Sequence, residues 1–372
     1  MVITQISARQ LSLAIHRREV SCREVMQAYL AQIERHNPKH NAIINALDPE
    51  VLLSRADERD AQLSQGHSMA WMHGMPIAIK DLAATADIPT TQGSPLLRDF
   101  RPSEDSAMVA RIRRAGAIVI GKTNVPEFGL GSHSFNELFG TTCNAYDTSK
   151  TAGGSSGGAA VALALRMLPV ADGSDFMGSL RNPAGWNNIV SLRPCVGRIP
   201  GNAREVWLPT MSTMGPMGRS VTDVALLFSA MVGEDPADPA TLEADARRSD
   251  YAAGLSKTSL KGVTLAVARF YTGDSPRTDA VFEQALNAGD LRWGIVAASL
   301  RSSGGMVSLM RRSSHRSSGA RGAGAGQVRG LAALQQQPGV GDVDQHGSLL
   351  DAATGTCGMH GRHACEVAIW RT

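Results

Sequence analysis

The 372-residue chain is predicted to form an α/β domain built around a mostly buried β-sheet. Segments of helical periodicity alternate with short apolar strands up to about residue 288. The composition, with 43% hydrophobic and 19% charged residues, is typical of a globular protein. Two glycine-flanked serine sites, at residues 153–158 and 173–179, interrupt this alternation. Glycine lets a ligand approach the main chain closely, so these loops are the candidate functional site.

The N-terminal part is predicted to be helical. A short amphipathic helix is expected over residues 7–17. Ser21 and Glu24 have the spacing of a capping box at the start of a second helix, which is expected to end before Pro38. A third helix is predicted over residues 50–63.

The following segments alternate between strand and helix. A short strand is predicted over residues 77–79 and ends at Lys80, and the pattern alone favours a solvated lysine at a strand terminus. The remaining helices are predicted at residues 103–115, 157–167 and 221–232, and the remaining strands at 117–120, 168–171, 189–192 and 262–268. This order predicts one α/β domain over residues 1–288.

The sequence changes character after residue 288. Residues 291–372 contain nine Arg, no Lys and four acidic residues, a net charge of +5 against −2 for residues 1–290. Twenty of the thirty residues from 301 to 330 are Arg, Ser or Gly, a composition that predicts disorder. We expect residues 289–372 to be a disordered or aberrant tail. The hypothesis is an out-of-frame or otherwise aberrant translation, which leaves the C-terminal part of the fold incomplete.

Two features of the tail suggest other functions and are set aside. Cys357, His360, His363 and Cys365 are a zinc-type set, but their spacings are unlike those of a standard finger, so no metal is predicted. The Arg-rich residues 311–329 lack interleaved aromatics, so no nucleic-acid partner is expected.

The compartment is inferred from cysteines and apolar runs. The five cysteines are too scattered for a disulfide framework, and no run approaches the roughly 20 apolar residues of a membrane span. The N-terminus has no secretory apolar core. A cytoplasmic location without membrane association is therefore expected.

The serines of the two loops need a base before they can act as nucleophiles. His133 lies near the loops, but no G-x-S-x-G elbow surrounds Ser155 or Ser179. A Ser-Lys mechanism is the alternative, and it requires a desolvated, neutral lysine. The loops match neither the phosphate-binding P-loop nor the dinucleotide fingerprint.

A set of motifs in the core resembles the amidase signature family, the serine hydrolases of carboxamides. The matching pieces are GMPIAIKD (74–81), TTQGSPLL (90–97), GAIVIGKTNVPEFG (116–129), GGSSGGAA (153–160), ADGSDFMGSLRNPA (171–184), SLRPCVGRIP (191–200) and GPMGRSVTDVALL (215–227). These motifs lie in a core at residues 74–233. With the N-terminal helices at 5–65, the resemblance covers about residues 5–285. It implies the amidase-signature fold, a mixed central β-sheet covered by helices on both faces.

The resemblance also implies a Ser-cisSer-Lys triad. Ser179 would be the acyl-forming nucleophile, Ser155 the bridging serine beside a cis peptide bond, and Lys80 the base. The 24-residue spacing between Ser155 and Ser179 agrees with the family pattern.

Further site residues are implied around Ser179. The resemblance assigns the oxyanion hole to the main-chain N–H groups of Phe176, Met177, Gly178 and Ser179, with Asp175 and Arg181 as supporting polar residues. Met177 stands where many members have glycine. Because the oxyanion contact comes from the main-chain N–H, Met177 can still serve as a donor if its side chain points away from the oxyanion.

The function implied by the resemblance is hydrolysis of a small carboxamide to a carboxylic acid plus ammonia or amine. The alternatives are an inactive truncated remnant and a glutamine-hydrolysing amidotransferase A-type subunit. A further alternative is a module that binds nucleic acid through the basic tail. No cofactor is expected, the substrate is a small-molecule amide, and a homodimer is left open.

Overall fold

The computed structural model describes residues 2–201, 211–242, 251–252 and 255, and the backbone of three further strands. The chain divides into two compact units, Met1–Gly254 with Ala352–Thr372, and Leu255–Asp351. The first unit contains every residue that the sequence predicts for the site. The second is described through one pair of parallel strands.

The secondary structure alternates along the chain as predicted. The α-helices of the described residues are α1 Ala8–His16, α2 Cys22–His40, α3 Pro49–Ser64, α4 Ala107–Arg114, α5 Gly157–Ala164, α6 Arg181–Trp186 and α7 Val221–Met231. The strands are β1 Ile43–Ile44, β2 Pro76–Lys80, β3 Ile118–Thr123, β4 Phe135–Asn136, β5 Gly140–Thr141, β6 Val170–Asp175, β7 Val190–Arg193, β8 Thr213–Gly218, β9 Thr264–Phe270, β10 Arg292–Ala298 and β11 Glu366–Ala368.

Two hydrogen-bonded ladders form the central sheet of the first unit. One has the order β1-β3-β2, with β2 parallel and β1 antiparallel to β3. The other has the order β11-β7-β8-β6 and is antiparallel. Strands β2 and β6 lie side by side where the two ladders meet. The sheet is therefore mixed, as the sequence predicts, and its centre is the junction of β2 and β6.

Helices cover both faces of this sheet. On β2, Ala78 packs into one apolar cluster, whereas Ile77 and Ile79 pack into the other, as the two-residue period of a strand requires. Helices α2, α3 and α5 contribute to the first cluster, and α4 and α7 to the second. The amphipathic patterns of the sequence thus produce a layer of helices on each side.

Helix α2 begins as predicted but is longer. Ser21 and Glu24 form the expected capping box. The helix runs through Pro38 to His40, so the prediction that it ends before Pro38 was wrong. A proline this near the C-terminus removes only one hydrogen bond of the last turn. The side chain of Asn37 accepts the N–H groups of Ala42 and Ile43 and so fixes the chain just beyond the end of the helix.

Helix α5 is packed so tightly that it needs small residues. A Cβ on Gly158 would lie 2.4 Å from the main-chain nitrogen of Asn124 and 2.6 Å from the carbonyl oxygen of Ala42. The backbone of α5 therefore rests directly on the chain around β1 and β3. This close approach brings the serines before α5 next to β2.

Several predictions for the C-terminal part lie outside the described residues. They include the boundary near residue 288, the basic residues 311–329, and the Cys/His set at 357–365. Strands β10 and β11 lie within residues 289–372, where disorder was predicted. Residues 292–298 read RWGIVAA, an apolar run that precedes the Arg/Ser/Gly-rich stretch.

In the part of the chain that the structure describes, no helix is both long and apolar enough to cross a membrane.

Candidate active site

Lys80 is the last residue of β2 and is buried. The residue is only 1% exposed, so the prediction of a solvated lysine at the end of the strand was wrong. The main-chain N–H of Lys80 donates to Asp172 Oδ1 on β6 at 2.9 Å. A lysine can be buried here because β6 and the serine loops surround it, which the pattern of β2 alone does not reveal.

The Lys80 amine contacts three serine hydroxyls. Its Nζ lies 2.7 Å from Ser155 Oγ, 2.8 Å from Ser156 Oγ and 2.9 Å from Ser174 Oγ. It also lies 3.3 Å from the carbonyl oxygen of Ser174. All of these partners are neutral, and no carboxylate of the described residues forms an ion pair with Nζ.

This environment changes the acidity of Lys80. Burial lowers its pKa to about 7, because desolvation disfavours the ammonium form, and the negative charges of Asp172 and Asp175 offset only part of that effect. A substantial fraction of Lys80 is then neutral near pH 7, as a general base must be.

The two adjacent serines at the start of α5 have different hydrogen bonds. Ser156 Oγ accepts the N–H of Ser174 at 3.3 Å and donates to the carbonyl oxygen of Ser174 at 3.2 Å. Ser155 Oγ, by contrast, contacts only Lys80 among the described residues. The peptide bond between Gly154 and Ser155 is cis, as the resemblance implies.

Ser179 follows β6 and lies beside these serines. Its main-chain carbonyl accepts the N–H of Ser156 at 3.2 Å. Its side chain is half-buried, and within the described ranges its hydroxyl forms no hydrogen bond. The structure thus brings Lys80 and Ser155 into direct contact and sets the backbone of Ser179 against the same pair of serines.

Asp175 organises the loop that carries Ser179. It is fully buried and accepts the N–H groups of Gly178 at 2.8 Å and Leu180 at 3.1 Å. Arg181 binds both carboxylate oxygens, through Nε at 3.0 Å and Nη2 at 3.1 Å. Burial raises the pKa of Asp175, but the hydrogen bonds from Arg181, Gly178 and Leu180 outweigh it and lower the pKa overall.

Comparison with known proteins identifies the family of the chain. The model of the family described as Amidase matches residues 24–291. The chain belongs to the amidase family.

Individual relatives of this amidase-family chain carry two kinds of name. The A subunit of the glutamyl-tRNA(Gln) amidotransferase of Microcystis aeruginosa is 36% identical over 281 residues, which are 76% of this chain and 57% of that protein. The peptide amidase of Stenotrophomonas maltophilia is 32% identical and has a TM-score of 0.70, covering 79% of this chain and 62% of that one. A bacterial aryl acylamidase is 28% identical with a TM-score of 0.71, covering 78% and 61%.

The amidase-family chain is therefore shorter than these relatives. It spans little more than half the length of the curated protein that it matches. The fold of the matched part is the amidase-signature fold, with the same mixed layers of helix and sheet.

The oxyanion-hole prediction for this amidase-family chain names four main-chain N–H groups. The N–H of Gly178 donates to Asp175 Oδ1 at 2.8 Å. Over the described residues, the N–H groups of Phe176, Met177 and Ser179 have no acceptor. Met177 is 78% exposed, so its side chain points away from the loop interior.

Sequence reasoning missed three residues of the site. Ser156 and Ser174 both contact the Lys80 amine, and Asp172 fixes the Lys80 main chain. The doubled serine in GGSSGG was a signal for Ser156, but only the packing distinguishes its structural role from that of Ser155. His133, the weaker candidate base, is exposed, and its Nδ1 lies 2.9 Å from Thr151 Oγ1.

No group of three or more His, Cys, Asp or Glu side chains suited to a metal occurs in the described part of the amidase-family chain.

Proposed function

We propose that the protein hydrolyses a small carboxamide to a carboxylic acid plus ammonia or amine, through an acyl-enzyme on Ser179. One observation supports this most strongly: a fully buried lysine amine lies 2.7 Å from the hydroxyl of Ser155. Membership of the amidase family gives the reaction class. The half-buried Ser179 next to this pair supplies the nucleophile.

The hydrogen bonds allow a consistent assignment of protons. A neutral amine has two N–H donors and one lone pair. Since the Ser156 hydroxyl proton is already donated to the carbonyl of Ser174, Lys80 donates to Ser156. A second N–H of Lys80 goes to Ser174 Oγ, which leaves the lone pair for the Ser155 proton. Ser155 then accepts the proton of Ser179 as Ser179 attacks.

The remaining steps follow from the same groups. The attack of Ser179 Oγ on the amide carbonyl forms a tetrahedral oxyanion, and the N–H groups of Phe176, Met177 and Ser179 stabilise it. Each such donor contributes roughly 2.7–4 kcal/mol to lowering the barrier. Protonated Lys80 returns a proton through Ser155 to the leaving amine, and water then hydrolyses the acyl-enzyme with Lys80 again as base.

A second candidate function has its own observation. The curated relatives of this chain include A subunits of glutamyl-tRNA(Gln) amidotransferases, at 36–37% identity. A protein of this type would release ammonia from glutamine with the same residues and pass it to a partner protein. Strict dependence on glutamine and co-purification with a second protein would favour this candidate over a free amidase.

The proposed function is tested by covalent labelling of the full chain with a serine-directed sulfonyl fluoride. We expect wild-type protein to be labelled on Ser179, with Ser179→Ala unlabelled. Ser132→Ala is the matched control, because Ser132 is exposed and lies outside the site. Failure of a folded sample to react would contradict the proposal and favour an inactive remnant.

A further inference from the structure

A buried carboxylate joins the two ladders of the sheet at the main chain of Lys80. Asp172 lies on β6, is 1% exposed, and accepts the main-chain N–H of Lys80 on β2 at 2.9 Å. The chemistry proposed above does not use Asp172. A buried carboxylate with no charge to compensate it would be costly, so its neighbours need to be identified.

A second buried lysine lies near Asp172. Lys122 on β3 is 0% exposed, and its Nζ donates to the carbonyl of Ala83 at 2.6 Å, Thr85 Oγ1 at 2.8 Å and Thr90 Oγ1 at 3.1 Å. The Asp81 carboxylate lies 3.9 Å from the same amine. Asp81 is itself fully buried and accepts the hydroxyl proton of Thr91 at 2.5 Å.

These carboxylates and lysines form one buried network of charges. Asp172 interacts electrostatically with both Lys80 and Lys122. Asp175 also faces Lys80, and Asp81 also faces Lys122. The half-buried pair of Asp105 and Arg113 faces Lys122 from the side of α4. Since charges interact more strongly in a low dielectric than in water, a change at one member affects the protonation of the others.

We propose that Asp172 is a positioning residue for the reaction, which fixes the end of β2 through the Lys80 N–H and sets the pH range in which Lys80 acts as base. Lys122 is its second counter-charge and limits how strongly Asp172 holds a proton on Lys80. This inference rests on the proposed function of Lys80.

The direction of the effect follows from the charges. Burial lowers the pKa of Lys80 to about 7, and the negative charge of Asp172 is the largest influence that opposes this change. Burial likewise lowers the pKa of Lys122 to about 8, where Asp81 and then Asp172 oppose it. The pKa of Asp172 is raised by burial, and the Lys80 N–H and both lysines act against that rise. Removing the charge of Asp172 should therefore lower the pKa of Lys80 further.

Asp172→Asn is the decisive variant, because an amide oxygen still accepts the Lys80 N–H while the charge is gone. In wild type, the rate of Ser179 labelling should rise with pH with a midpoint at about 7. In Asp172→Asn, this midpoint should be lower by roughly one pH unit. Asp223→Asn is the control, since Asp223 is also buried and accepts a distant main-chain N–H, that of Arg9 at 3.0 Å. It should leave the profile unchanged.

A second variant should shift the pH profile of labelling in the opposite direction. Lys122→Met removes a counter-charge of Asp172, so labelling should move to higher pH. A merely structural role would lower the rate in both variants without moving the midpoints in opposite directions. Equal midpoints in wild type and folded Asp172→Asn would overturn the inference.

A direct titration separates this inference from the proposed function. The chain has six lysines, so protein made with lysine labelled with ¹³C at Cε gives six signals to follow with pH. Lys80→Ala assigns the signal of Lys80. A lower titration midpoint of that signal in Asp172→Asn supports the inference even if Ser179 proves unreactive, whereas an unchanged midpoint contradicts it in an active protein.

Discussion

Arg181 binds both carboxylate oxygens of Asp175, at 3.0 and 3.1 Å, across the base of the loop that carries Ser179. The pair is asymmetric, since Asp175 is fully buried whereas the Arg181 side chain is 33% exposed. Asp175 in turn holds the N–H groups of Gly178 and Leu180. The shape of the loop that carries Ser179 therefore depends on Asp175 and on the guanidinium of Arg181 at its edge, with Arg193 as a second cation near the same carboxylate.

Arg181→Leu should destabilise the protein by about 1–3 kcal/mol, the usual cost of leaving a buried acceptor without its partner. Arg193, whose Nε lies 3.3 Å from Asp175 Oδ1, will limit the loss. Labelling of Ser179 should fall by more than the change in stability accounts for, because the loop amides move. Urea unfolding and labelling kinetics measure the two effects. The control is Arg219→Leu. It removes a guanidinium that donates to two main-chain carbonyls and not to the Asp175 carboxylate.

Lys80→Ala should abolish nearly all labelling, and Lys80→Arg should not restore it, because a guanidinium stays protonated at any working pH. Burial lowers the pKa of Lys80 to about 7, so wild-type reactivity should increase with pH across that value as the amine becomes neutral. The test is a rate profile from pH 5 to 9. Substantial turnover by Lys80→Arg would rule out Lys80 as the base.

The stability of the protein should depend on pH through the same group. The pKa of Lys80 falls from 10.5 to about 7 on folding, so between these values the unfolded chain binds a proton that the folded chain does not. Stability therefore rises with pH over this window, and the full cost of the buried charge is felt below it. Lys80→Met removes that cost, so its gain over wild type should be largest near pH 6 and shrink towards pH 10. Urea unfolding at three pH values measures the gain, and a constant difference would refute this account.

Met177→Pro tests the oxyanion hole, because proline removes the main-chain N–H. We expect a fall of about 10²–10³ in the labelling rate, the usual effect of losing one oxyanion donor. Met177→Ala keeps the N–H and should react like wild type, since the Met177 side chain is 78% exposed. Thermal unfolding of both variants checks that the loop is intact. Equal reactivity of the two would remove Met177 from the oxyanion hole.

Gly158→Ala should destabilise the protein, although alanine normally favours a helix over glycine by about 1 kcal/mol. The new Cβ would lie 2.4 Å from a main-chain nitrogen of Asn124, which cannot move easily. Helix α5 should shift and separate Ser155 from Lys80, with a loss of labelling. Gly66→Ala is the control for a loss of stability away from the site. It should also cost stability, because Gly66 has a φ of +81°, but a Cβ there meets nothing within 4 Å, so labelling should be kept. A stabilised, fully reactive Gly158→Ala would contradict the close packing.

Local signals were enough to predict most of the fold. The capping box of Ser21 and Glu24 and the apolar periodicities gave the helices, because these signals act within a few residues. The extension of α2 past Pro38 was not predictable from them, since it depends on the side chain of Asn37.

The site was predicted less completely by local patterns. The pattern of β2 favoured an exposed Lys80, and only the resemblance to a family suggested a buried base. The roles of Asp172, Ser156 and Ser174 arise from contacts between segments more than 15 residues apart, which no local pattern encodes.

The junction between the two ladders has a consequence for the chain before it is folded. Lys80 belongs to one ladder and Ser179 follows a strand of the other, so the proposed base and the proposed nucleophile meet only after β2 and β6 have docked. Until then Lys80 is an ordinary protonated amine in water and Ser179 an ordinary alcohol. The reactivity that we propose therefore appears together with the tertiary structure.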